Sequence, residues 1–155
     1  MKKEEQIFSV DSADQSPGFL LWQVTSLWQR GIRKALEKYD ITHSQFVLLA
    51  STFWLSMQDQ PVTQVLLSFH SKIDPMTTST VLRTLQGKGL LMRQEHATDT
   101  RAKTVALTDA GKKLVKQAVK TVEQFDKEFF GMLGNKTAAF NKTLQSLLTW
   151  KEITD

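Results

Sequence analysis

A chain of 155 residues, 41% hydrophobic and 23% charged, is long enough for one globular domain with a substantial core and is not that of a disordered protein. It contains no cysteine, which excludes disulfides, thiolate metal sites and thiol-based peroxide sensing. No apolar run reaches membrane-spanning length and the N-terminus lacks a signal-peptide layout, so a cytoplasmic protein without a membrane partner is expected; the net charge of +4 asks where the excess base lies.

Residues 1–16 are polar and of mixed charge, with Ile7, Phe8 and Val10 as apolar anchors, and read as a flexible arm or a segment ordered by a partner. After Pro17 and Gly18 the spacing predicts a long helix over 19–39. Its Leu20, Val24, Leu27, Trp28, Ile32, Ala35, Leu36 and Tyr39 recur every three or four residues. Thr42 or Ser44 can cap the next helix, about 45–57, which is dense in apolar side chains. Pro61 marks a turn, and Thr63 then caps a short helix through His70 with Val65, Leu66 and Phe69 as candidate core positions.

Asp74 and Pro75 supply an N-cap and a first helical residue whose missing N–H costs nothing. The helix they open runs to Gly87 and Gly89, which suit a C-terminal cap. Residues 90–95 and 103–107 pair as a hairpin, with Val105 and Leu107 on one face and 96–102 as a polar tip. Thr108 and Asp109 start a long helix to about Leu133, and 138–153 form the last one. The prolines at 17, 61 and 75 all fall at these boundaries.

Two short helices joined by a brief connection make a helix-turn-helix, and the hairpin beyond it makes a wing. The fold expected is mainly α with a small β-hairpin wing. Residues 83–113 carry seven basic and three acidic side chains, which accounts for the whole net charge. Such a stretch is either a solvated basic face or a polyanion-binding surface. Thr78, Val81, Leu82 and Leu85 share the core side of the second short helix, with Met76, Ser79, Thr80 and Arg83 opposite and Thr77 at the border. Four successive Ser or Thr at positions 77–80 are poor helix formers, but they suit close docking in a major groove. Arg101 suits insertion into a minor groove, with Asp99 placed to orient it; an exposed ion pair at a hairpin tip is the plainer reading.

Between Ile41 and Gly111 the chain resembles the MarR family of winged-helix transcription regulators. The likeness is carried by Ile41-Thr42 with Gln45-Phe46, by Leu85 with Lys88-Gly89-Leu90, by Asp99-x-Arg101, and by Leu107-Thr108-x-x-Gly111. It implies a winged helix-turn-helix over about 41–111 within a single domain at 17–155. The same likeness implies dimerisation helices at about 17–39 and 112–155, and a homodimer on a pseudo-palindromic double-stranded DNA operator. DNA contacts would then come from Met76, Thr77, Ser79, Thr80, Arg83, Asp99, Arg101 and Lys103. A basic residue is common in the family where Thr80 stands, so base preference does not carry over.

The family often binds small aromatic or anionic effectors between its two regions. Trp22, Trp28, Phe46, Phe53, Trp54 and Phe125 could line such a site with Arg30, Arg33 or His43 at its mouth, although aromatics at helical spacing are usually core. His43, His70 and His96 have no metal-ligand spacing, and no glycine-rich phosphate loop, catalytic triad or paired carboxylates in an apolar setting appear. No metal, cofactor or enzyme activity is therefore expected. The competing reading is a winged-helix module that binds protein instead of DNA.

Overall fold

The first five α-helices begin where a short oxygen-bearing side chain can accept a free backbone N–H. In the computed structural model, which describes residues 6–95 and 103–151, Ser16 opens α1 (Pro17–Leu36) by accepting from the Phe19 amide. Thr42, not Ser44, opens α2 (His43–Ser56) and forms a reciprocal capping box with Gln45. Thr63 caps α3 (Gln64–Ser71) and Asp74 caps α4 (Pro75–Gly87). The end of α4 is a Schellman turn: Leu90 N donates to Leu85 O, Gly89 N donates to Gln86 O, and Gly89 takes φ +72°.

That turn feeds an antiparallel hairpin, β1 (Leu91–Glu95) with β2 (Lys103–Leu107), in the register Leu91↔Leu107, Arg93↔Val105 and Glu95↔Lys103. The tip expected at 96–102 lies outside the described residues. Leu91, Val105 and Leu107 are buried and face α2 and α4 together with Leu48, Leu49, Leu67, Leu82 and Leu85. One strand-like pairing has no signal in the sequence. Val105 N donates to Val62 O (2.8 Å) and Thr63 bridges Thr104, so the turn after Pro61 adds an edge to the hairpin and ties it to the start of α3.

Thr108 caps α5 (Asp109–Phe129), whose Val115, Ala118 and Val122 pack with Ile32 and Leu36 of α1 in the same core. A 3-10 segment, Phe130–Lys136, turns the chain at Gly134 (φ +53°) into α6 (Thr137–Leu147), shorter than the helix expected there. Two core expectations change. On α3 the buried side chain is Leu67, while Val65 and Phe69, about half a turn away from it, are 74% and 73% exposed. On α1 only Ile32 and Leu36 are buried, leaving Leu20, Val24 and Leu27 of the same stripe exposed. Among the described residues no helix is long and apolar enough to cross a membrane.

The base of the hairpin is closed by an unusually near approach. A Cβ built at Gly111 would fall 1.9 Å from the Leu90 carbonyl oxygen, a backbone atom that cannot swing aside. Gly111→Ala should therefore destabilise the protein by about 1–3 kcal/mol, measured as a lower urea midpoint. Gly131→Ala, where the added methyl meets nothing within 4 Å, should stay within about 0.5 kcal/mol of wild type. Equal midpoints for the two variants would contradict the close-approach account.

Candidate nucleic-acid interface

The buried side of α4 is Thr78, Leu82 and Leu85, with Val81 half-buried at its margin. Thr78 is fully buried because its hydroxyl donates to Ile73 O (3.2 Å), which removes the cost of an unpaired polar group in the core. The helix therefore turns a fixed second side to solvent. Met76 (80% exposed), Thr77, Thr80 and Arg83 lie on it, and Ser79 is half-buried at its edge.

The local chemistry of that exposed side is short and polar. Thr80 donates to Met76 O (3.1 Å) and Thr84 to Thr80 O (3.3 Å), so each hydroxyl spends its proton within the helix and offers lone pairs outward. At the N-terminus the Asp74 carboxylate accepts from Thr77 N at 2.8 Å. Hydrogen bonding from Thr77, side chain first and then backbone, holds the Asp74 carboxyl below the usual carboxylate range. Asp74 is the only acid in this capping turn, and α4 carries no acidic residue in its first turn.

Beside α4 stands the hairpin. Lys103 is exposed at the start of β2, and it lines two clefts. One, of about 220 Å³, is shared with Gln86, Arg93 and Gln94; the other, of about 390 Å³, is shared with residues of α3 that include Val65 and Phe69. In the sequence Arg93 is one base among several. In the fold its side chain is half-buried and bridges three elements: Nε donates to Gln86 Oε1 (3.0 Å) and Nη1 to Gln64 Oε1 (3.3 Å). Asp99 and Arg101, the expected wing pair, lie outside the described residues.

The six aromatic effector candidates divide. Trp28, Phe46, Phe53 and Phe125 are half-buried and packed on the core, whereas Trp22 and Trp54 are exposed on the chain. Trp28 Nε1 donates to Asp126 Oδ1 (2.8 Å), and its ring meets His43 edge-on with centroids 5.1 Å apart. Phe125 sits against α1 where Gly31 leaves room for its ring. Of the expected mouth residues, His43 is half-buried while Arg30 and Arg33 are exposed. No group of three or more potential metal ligands occurs among the described residues.

Comparison with known proteins agrees with this geometry. An ArnR1-like winged-helix domain matches residues 37–124. The HTH-type transcriptional regulator YdcH of Bacillus subtilis is 42% identical over 133 residues, 86% of this chain and 90% of that protein. A mutant MarR from Escherichia coli, complexed with operator DNA, superposes with a TM-score of 0.76 at 26% identity, covering 84% of this chain and 92% of that one. BpsR of Bordetella bronchiseptica, studied for regulation of its DNA binding by 6-hydroxynicotinic acid, shares the fold with a TM-score of 0.80 at 24% identity, over 90% and 98% of the two chains.

The Trp28–His43–Asp126 contact has a titratable consequence. Burial lowers the His43 pKa from its ordinary value near 6.5, and the Asp126 carboxylate partly opposes this. The folded protein thus binds the His43 proton less readily than the unfolded chain. Its contribution to stability is present above pH 6.5 and is lost as pH falls through the folded pKa. An NMR titration should place the His43 midpoint below 6.5, and Asp126→Asn should move it lower still. A midpoint at or above 6.5, or an upward shift in the variant, would contradict this assignment.

Proposed function

The chain belongs to the MarR family of winged-helix transcription regulators, and from that premise we propose that it is a cytoplasmic, homodimeric, sequence-specific repressor or activator. The observation that carries the proposal is the exposed row Met76, Thr77, Thr80 and Arg83 on α4, set opposite a fully buried Thr78, Leu82 and Leu85 and flanked by a basic hairpin. A helix so anchored can enter a major groove as a rigid unit. Short hydroxyl side chains let its backbone approach base edges and phosphates, and Arg83, one turn later, reaches guanine or backbone. The wing, with Lys103 at the outer end of its strands and with Arg101 and Asp99 beyond the described residues, would lie in the adjacent minor groove.

What the single chain leaves uncovered supports dimerisation. Leu21 and Trp22 on α1, Leu147 on α6, and Leu148 and Trp150 beyond it are all exposed. That is more apolar surface at the two ends of one chain than isolated surface residues account for. A two-fold pairing through residues 17–39 and 112–155 would present two α4 helices to half-sites about 34 Å apart on a pseudo-palindromic operator. Sedimentation at micromolar concentration should give a dimer, and Leu147→Asp should shift it toward monomer and weaken DNA binding. A wild-type monomer would exclude the arrangement.

An effector would act where these regions meet, around Trp28 and Phe125. BpsR, whose DNA binding is regulated by 6-hydroxynicotinic acid, makes small aromatic acids the class to try first.

Fluorescence anisotropy tests the function directly. A duplex from the protein's own upstream region should bind at least about 100-fold tighter than a scrambled one, with affinity falling as salt rises. Arg83→Ala should cost about 1–3 kcal/mol on the native duplex. Titrating the complex with small aromatic acids tests release. No binding even at low salt would favour the protein-interaction module instead.

A further inference from the structure

We infer that the seam between α4 and the hairpin is a seat for one phosphodiester of the DNA backbone, held chiefly by Arg93 with Lys103 beside it. This rests on the DNA-binding reading above and adds a contact that the exposed face of α4 does not contain. The strand register carries the first part of the argument. Directly paired residues point to the same face of a hairpin, so Leu91/Leu107, Arg93/Val105 and Lys103 form one inward row. Along that row the environment changes from buried leucine at the base to cationic side chains further out. The change occurs opposite Gln86, on the flank of α4 next to the wing.

The second part is how Arg93 is held. Gln64 and Gln86 orient the guanidinium through their amide oxygens, which are neutral. They occupy two of its five N–H donors and leave its charge intact. Among the described side chains, which do not include that of Glu95, the one ion pair is Lys88 with Asp40, elsewhere in the fold. A planar, pre-oriented fork with donors to spare matches the oxygens of a phosphate. The cleft at its side, about 220 Å³ and lined by Gln86, Arg93, Gln94 and Lys103, is open to receive one. Arg93, oriented from two sides, takes the larger share and the exposed Lys103 the smaller.

The third part is DNA geometry. A helix in the major groove and a wing in the neighbouring minor groove straddle the sugar-phosphate strand that separates them. Whatever lines the seam between helix and wing therefore faces a phosphate, whatever the base sequence.

The test is the salt dependence of operator binding by the full-length protein carrying Arg93→Gln. The slope of log affinity against log salt should become shallower by about 0.9 for each phosphate no longer neutralised, about 1.8 for a dimer. Native and scrambled duplexes should weaken alike, leaving their ratio unchanged. Lys103→Gln, at an exposed position, is measured beside it and should shift the slope in the same direction by less, so that a folding defect at residue 93 does not decide the matter. Duplexes with a single neutral methylphosphonate are then scanned across the half-site. One position should weaken wild type while leaving Arg93→Gln unaffected; a seat for free phosphate would couple to none. An unchanged slope in both variants, a collapsed native-to-scrambled ratio, or no coupled position would overturn the inference while leaving DNA binding in place. Salt-independent or absent binding by wild type would overturn both.

Discussion

The contact on which the rest of this structure depends is the passage of Gly111 over the Leu90 carbonyl. Leu90 O also accepts from Thr108 N (3.1 Å), Thr108 Oγ1 donates to Gly89 O (2.7 Å), and Gly111 N donates back to Thr108 Oγ1 (3.0 Å). The end of the Schellman turn after α4 and the first turn of α5 are thereby locked within a few ångströms of each other. Helix α4, the hairpin and α5 leave that point in set directions. A Cβ at position 111 would require one of two backbones to move, and the relative aim of α4 and wing would move with it.

From that joint outward, polar and charged groups have separate tasks. Threonine and glutamine hold structure: Thr42, Thr63 and Thr108 cap helices, Thr78 satisfies itself inside the core, and Gln64 and Gln86 steer Arg93. Because those partners are neutral, they fix geometry without cancelling charge. A carboxylate at either glutamine position would orient the arginine equally well and remove its attraction for a polyanion. Thr80 spends its proton inward on Met76 O and turns its hydroxyl lone pairs outward.

The two ends of the chain obey a different constraint. The α1 stripe has the period of a buried helix along its whole length, yet burial within one chain reaches only Ile32 and Leu36. The aromatic run Phe125, Phe129, Phe130 and Phe140 continues from α5 toward α6 through ring contacts of 5.0–6.1 Å, after which Leu147, Leu148 and Trp150 stand exposed. A core that stops while its sequence pattern continues is what the proposed pairing with a second copy would complete. The Trp28–Asp126 hydrogen bond lies at that border, between the closed core and the uncovered stripe.

The features legible in the residues alone are local ones. Capping residues, the three boundary prolines, Gly89 after α4, and the alternation of Val105 and Leu107 specify their elements through hydrogen bonds and sterics confined to a few neighbours. The two sides of α4 follow equally from the angular step of a helix. Everything that needed the folded chain involves partners distant in sequence, which periodicity cannot encode. Leu67 rather than Val65 or Phe69 meets the core, because α2 and α4 choose which side of α3 they cover. Val62 joins β2 from a turn far upstream of it. Arg93, one base among many in the sequence, becomes a bridge only because Gln64 and Gln86 arrive from two other helices. Gly111 is legible as a motif residue, but the reason that it must be glycine is the Leu90 carbonyl packed beneath it.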